Sequence, residues 1–279
     1  MQDFKHQSES EHHELPVTLS AITIAWSKHM SKQTILTGRD SRRGRNTIAL
    51  VDLSVGLNEG ARGQTRLDAT LRRLDGLTLL EWCVRRLNES TLIDAVVVTG
   101  SRECRDRISR TGLCDAKWIP SDSETPTLRA KDVAEQFDAE WIVFSSPLCP
   151  FTDPTLLDRM ISRGWAHPDV DFVGFWSPKR PEFSLQSLGL VGEMCSAAAI
   201  NKLVSMKLHN EPCDVPHLLR RNPNSFQSKL IPLPEELTER NLRFELETAE
   251  DRDRAASYLE AAGDDLCWQR LAQMSDRLA

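Results

Sequence analysis

The stretch Gly60-Ala-Arg-Gly-Gln-Thr-Arg66 has the make-up of a phosphate-holding loop. Gly60 and Gly63 can turn backbone N–H groups toward an anion. Arg66, with Arg62 beside it, offers a planar fork of donors that matches phosphate oxygens. An ordinary flexible loop with exposed arginines is the plainer reading of the same residues. A second stretch, Ala139 to Pro154, carries the short apolar run Trp141–Phe144, then two prolines, then Asp153-Pro154. Asp153 reads as a helix N-cap and Pro154 as the first helical residue. Ligands collect where the strands of an α/β sheet end, so Ser146 joins the candidate nucleotide contacts. Ser145-Ser146-Pro147 lacks the Gly-x-Ser-x-Gly elbow of a serine hydrolase. His209, Cys213 and His217 fit no standard zinc spacing, and His6, His12, His13 and His29 fall in a polar N-terminal stretch.

The elements that must position these residues follow from apolar runs and periodicity. Thr47–Val51 is near-continuously apolar, as a central parallel strand should be, and Ile93–Gly100 is a second such run. Ala116–Pro120, Trp141–Phe144, Val170–Trp176 and Leu188–Cys195 supply further strands, and Phe244–Leu246 a final short one. Leu77–Leu87 has helical spacing. Helices are also expected over Leu128–Phe137, Thr155–Arg163, Ala197–Met206, Val215–Arg221 and, closing the chain, Asp251–Ala262. Strands alternating with helices predict a mostly parallel sheet covered on both faces. Trp82, Trp118, Trp141 and Trp176 are expected in the core rather than as a base-stacking platform. Residues 1–45 are polar and irregular, and are expected to be a disordered or loosely packed arm ahead of one α/β domain, 46–279.

Composition narrows the function classes. A net charge of -6 argues against a general nucleic-acid binder, and the basic stretch Lys28–Arg45 reads as a solvated arm. Seven scattered cysteines with no Cys-x-x-Cys suit reduced thiols in a cytoplasm. No run approaches the ~18–20 apolar residues of a membrane span, and the N-terminus lacks the positive flank of a secretory signal.

Four segments in order resemble the nucleotide-sugar cytidylyltransferases, above all the spore-coat polysaccharide biosynthesis protein F and CMP-Kdo synthetase group. Thr65-Arg-Leu-Asp-Ala-Thr-Leu-Arg-Arg-Leu-Asp-Gly-Leu-Thr-Leu-Leu-Glu-Trp82 is similar to Thr-Arg-Leu-Pro-Gly-Lys-Val-Leu-x-x-Leu-x-Gly-x-Pro-Leu-Leu-Glu. Ala139–Pro154 is similar to Ala-Asp-x-x-Val-Arg-x-Thr-Gly-Asp-Cys-Pro-Leu-x-Asp-Pro. Leu188-Gly-Leu-Val-Gly-Glu-Met-Cys-Ser196 and Leu242-Arg-Phe-Glu-Leu-Glu-Thr-Ala-Glu-Asp251 resemble the third and fourth segments. The resemblance runs from about residue 46 to residue 262. It implies a single-domain, three-layer α/β/α fold with the mostly parallel sheet of the nucleotide-diphospho-sugar transferases. It also implies CTP and an acidic sugar as substrates, Mg²⁺ as cofactor, and a homodimer joined through the Leu188–Ser196 region.

Attack on the α-phosphate of CTP requires charge neutralisation, which such enzymes obtain from Mg²⁺ on carboxylates, a Gly-rich cradle and Arg or Lys. By the resemblance, Glu193 belongs to the sugar pocket, Glu247 to the metal site, and Arg66 to catalysis. The chain departs from the family pattern in four places. Leu148 stands where the metal-binding Asp should be, and Glu247 stands where the second Asp should be. Asp68-Ala-Thr70 replaces Pro-Gly-Lys, and Phe144 replaces an Arg. Two readings follow: a cytidylyltransferase of surface-polysaccharide biosynthesis, or a non-catalytic family member that binds a sugar nucleotide or a partner protein.

Overall fold

The computed structural model describes residues 46–54, 67–108, 116–179, 185–211, 213–238 and 242–278. Contacts divide the chain into two units, 1–44 and 45–279, and every described residue belongs to the second. The 1–45 arm lies outside the described residues.

Strand β1 (Thr47–Asp52) is buried on both faces, which its near-unbroken apolar run requires. A two-stranded hairpin, β2 (Arg73–Leu74) and β3 (Leu77–Thr78), leads into helix α1 (Leu79–Asn88). Thr78 caps α1 and Glu81 completes a capping box. Then come β4 (Ala95–Gly100), α2 (Arg102–Ile108), β5 (Lys117–Pro120), α3 (Pro126–Gln136) and β6 (Trp141–Phe144). Helix α4 (Pro154–Trp165) starts on the Asp153 cap and the Pro154 turn as the sequence indicates. The chain continues through β7 (Phe172–Trp176), β8 (Glu193–Ser196), α5 (Ala197–Ser205), α6 (Val215–Arg221) and β9 (Ser228–Pro232). It ends with the short α7 (Glu235–Thr238), then α8 (Ala249–Ala262) and α9 (Trp268–Leu278).

Among the described residues, seven strands form one sheet in the order β5-β4-β1-β6-β8-β7-β9, all parallel except β8, which runs antiparallel to β6 and β7. Alternation assigns the two faces. Ala49, Val51, Val96, Val98 and Val143 pack with α1, α4, α8 and α9 on one side. Ile48, Leu50, Val97, Ile142, Phe172 and Cys195 pack with α3, α5 and α6 on the other. The three-layer α/β/α arrangement expected from the sequence is therefore the observed one.

Several expectations need correction. Phe244–Leu246 is not a strand: its backbone makes isolated bonds to Leu188 and Leu148 instead of a ladder. Gly189 permits that crossing, since a Cβ there would lie 2.4 Å from the carbonyl carbon of Phe244, and its φ of +71° is left-handed. The Asp251 helix is not the closing one, because α9 follows it. Strand β9 and helix α2 carry no apolar period that would reveal them. Trp82 and Trp141 are core residues, but Trp176 is 40% exposed. Leu188 to Ser196 is buried within the chain itself, so its side chains are not available to join a homodimer.

Candidate active site

The parallel strands β1 and β6 end side by side, with Leu50 in register with Phe144. Beyond them lies a cleft lined by Leu50, Asp52, Leu53, Leu67, Thr70, Phe144, Ser145, Ser146, Pro147 and Asp214. Its floor is a tight turn. Ser145 N–H donates to the Leu50 carbonyl at 3.2 Å, while Ser146 Oγ accepts from Leu148 N–H at 3.2 Å. Cys83 lies beneath, its Sγ donating to the Ser146 carbonyl at 3.5 Å and lying 3.7 Å from Ser145 Oγ. Burial pushes the Cys83 thiol up to about 12, with Ser145 opposing weakly. It is therefore protonated at neutral pH and fastens the turn rather than acting as a nucleophile.

Asp52 ends β1 on the face covered by α3. Arg129 Nε donates to its carboxylate at 2.8 Å, and Ser54 N–H donates at 2.8 Å. Arg129 Nη1 also donates to the Ser123 carbonyl at 2.8 Å, which ties the loop after β5 to the end of β1. Burial pushes the Asp52 carboxyl up, against the pull of Arg129. On the neighbouring strand pair, Phe144 is in register with Glu193. Glu193 is ion-paired with Arg220 of α6, the helix whose N-cap, Asp214, reaches the cleft.

Ser146 thus lies in the cleft wall, and Glu193 one strand away from it. Gly60, Arg62, Gly63 and Arg66 lie outside the described residues. Thr70, at the position of the family's lysine, does line the cleft, but a hydroxyl carries no charge. Asp68 turns away to pair with Arg107. Leu246 N–H donates to the Leu148 carbonyl at 2.9 Å, so the backbone brings positions 148 and 247 together as a metal site would need. The side chains do not follow. Leu148 is 2% exposed within the core, and the exposed Glu247 is held by Arg243 at 2.6 Å. Among the described residues no group of three metal-ligating side chains converges. They do not fit the paired-carboxylate metal set. Asp153 accepts from Thr155 and Leu156 amides, and Asp251 from Glu247 and Thr248 amides, so both act as caps.

Sequence reasoning passed over Asp52, Arg129, Asp214 and Arg220. One signal was present. Arg129 sits among Pro126, Ala130 and Val133 on the buried face of α3, where an arginine needs a carboxylate partner.

Solved structures show the same fold. A cytidylyltransferase from Leptospira borgpetersenii matches with a TM-score of 0.62 at 16% identity, covering 83% of this chain and 94% of its own. CMP:2-keto-3-deoxy-manno-octonic acid synthetase in complex with CTP matches with a TM-score of 0.53 at 10% identity, covering 77% and 99%. A Mycobacterium tuberculosis protein in complex with manganese matches with a TM-score of 0.53 at 12% identity, also covering 77% and 99%. Comparison with curated proteins gave no match. The cytidylyltransferase family model matches residues 65–212, from the strand-end cleft through β8 and α5, which is more than half of the 279 residues. The chain therefore belongs to the cytidylyltransferase family.

Proposed function

We propose that this protein binds CTP in the cleft beyond β1 and β6 and passes CMP to an acidic sugar of surface-polysaccharide biosynthesis. The carrying observation is the position of that cleft, at the carboxyl ends of adjacent parallel strands in a family cytidylyltransferase. In this reaction an acceptor hydroxyl oxygen bonds to the α-phosphorus and releases its proton to water, the α–β bridging bond breaks, and pyrophosphate leaves with the electron pair. Gly60, Gly63, Arg62 and Arg66 would hold the phosphates, with Arg66 countering charge that develops on them. Ser146 would contact the nucleotide. The same reading treats 46–279 as the nucleotidyltransferase-like domain, working in the cytoplasm as a homodimer joined by a surface other than Leu188–Ser196.

Mg²⁺ is the cofactor the resemblance implies, and Glu247 is the surviving carboxylate at the inherited metal positions. The buried Leu148 and the Arg243-bound Glu247 do not form a site for the ion. Burial of Leu148 favours the second reading, a family member that binds a sugar nucleotide without turnover. Losing one metal carboxylate costs on the order of a hundredfold in rate.

Titration calorimetry with CTP, with and without MgCl₂, and a pyrophosphate-release assay with acidic sugars separate the readings. Turnover supports the transferase. CTP binding without turnover supports the non-catalytic binder, and absence of any nucleotide binding removes both. Because Arg243 holds Glu247 at 2.6 Å, Glu247→Gln should leave any Mg²⁺ dependence of binding unchanged; a weakened response would return Glu247 to the metal site.

A further inference from the structure

Helix α1 serves two sites with two faces. Cys83 reaches the floor of the cleft, while Trp82, Arg85, Arg86 and Glu89 follow at the i, i+3, i+4 and i+7 spacing of one helical stripe. That stripe walls a cavity of about 310 Å³, which shares no lining residue with the cleft. Small-molecule sites begin at roughly that size, ~300 Å³. Facing the stripe are Asp75, in the turn of the β2–β3 hairpin, and Gly263 and Asp264, just past the end of α8. A Cβ at Gly263 would meet no atom within 4 Å, so this wall borders open space.

The donors on the stripe are held in place. Trp82 Nε1 donates to the Leu74 carbonyl at 2.7 Å, which fixes the indole, and the Arg85 guanidinium lies 5.4 Å from the ring centroid. Arg86 is buried, with Nε and Nη2 donating to the carbonyls of Thr152 and Leu266 at 3.1 Å each. Both arginines meet one carboxylate. Arg86 Nη1 donates to Glu89 Oε2, and Arg85 Nε lies 3.5 Å from Glu89 Oε1. Among the described residues, neither Nη nitrogen of Arg85 has a hydrogen-bond or ion-pair partner. Glu89 thus marks a point where an anion reaches two guanidiniums, and its own side chain is 39% exposed and can rotate away. Across the cavity, Asp75 and Asp264 are exposed and unpartnered among the described residues.

We propose that this cavity binds a sugar phosphate. The phosphate takes the place of the Glu89 carboxylate across Arg85 and Arg86, and sugar hydroxyls donate to Asp75 and Asp264. A phosphate suits the arginine pair because it brings three acceptor oxygens and up to two charges, where Glu89 brings two oxygens and one charge. Hydroxyls suit the opposite wall because an ionised carboxylate only accepts. The site is separate from the nucleotide cleft and does not depend on the transferase reading.

The probes are the 6-phosphates of glucose, mannose and fructose, the three neutral hexoses, and inorganic phosphate, each titrated calorimetrically into the full chain. At least one hexose phosphate should bind about tenfold or more tighter than its neutral hexose and than inorganic phosphate. Arg85→Gln should weaken that hexose phosphate about tenfold. Asp264→Asn should narrow its gain over inorganic phosphate. Glu89→Gln has the opposite sign: by removing the resident carboxylate, it should tighten both phosphate probes. The site is overturned if no hexose phosphate binds, or if none outbinds its neutral hexose and inorganic phosphate. It is equally overturned if, in variants with unshifted melting curves, Arg85→Gln or Asp264→Asn changes nothing or Glu89→Gln weakens binding. Displacement of the hexose phosphate by CTP would place it in the cleft and also sink the proposal. Failure of CTP itself to bind touches only the transferase reading and leaves this site standing.

Discussion

At the scale of single residues, the cleft joins what the family pattern needs to what the core needs, and at Leu148 the core has prevailed. Leu148 and Cys83 both serve packing. Cys83 gives a direct check. With its thiol pushed up to about 12 by burial, the thiolate fraction near pH 8 is far below that of an ordinary cysteine. Iodoacetamide should leave Cys83 unmodified in the folded protein and label it after denaturation, while the half-buried Cys213 labels under both conditions. Peptide mass mapping reads this, and rapid native labelling of Cys83 would contradict the burial. The carboxylates were harder to read from sequence than the apolar residues. Asp153 announces itself as a cap because Pro154 follows it. Asp52 has no such neighbour, and its partner Arg129 is 77 positions away. Partnership across that distance leaves no local trace.

At the scale of elements, buried strands and capped helices were legible, and exposed ones were not. The runs that became β1, β4 and β6 are apolar because both of their faces are covered. Strand β9 lies at the edge with Leu230 and Pro232 exposed, so its sequence carries no burial pattern. Helix α2 buries only Cys104 and Ile108 among its charges. Helix α8, expected from Asp251 onward, starts at Ala249 on a reciprocal capping box of Thr248 and Asp251. Thr248→Ala should lower unfolding free energy by ~1 kcal/mol, measured by urea denaturation. Asp251 adds a pH dependence. Burial alone would raise its carboxyl, but hydrogen bonds from Thr248, the attraction of Arg243 and the Glu247 amide hold it below the usual range. A carboxyl that titrates lower when folded stabilises the fold above the ordinary aspartate pKa of about 3.9. That stabilisation disappears as pH falls through the folded value. Asp251→Asn should therefore lose stability near neutrality and match the parent more closely in strong acid. A constant difference at both ends would show that the charge is not what matters.

At the scale of the molecule, α9 completes one helical layer, with Leu271, Ala272 and Met274 buried in the same core as β1 and α1. Leu271→Ala should cost ~2–5 kcal/mol, against ~0.5 kcal/mol or less for the exposed Trp176→Ala. Equal costs would mean that α9 is only loosely attached. Its attachment runs through a residue already engaged elsewhere. One oxygen of Asp153 accepts from the amides that open α4, and the other accepts from Trp268 N–H, the first amide of α9, at 2.9 Å. Arg86 reinforces the junction, reaching the carbonyls of Thr152 and Leu266 at 3.1 Å each. A single carboxylate thus starts two helices separated by more than a hundred residues of chain. Neither helix can be loosened or re-aimed at that point alone, so the end of the polypeptide is geared to the turn that floors the cleft.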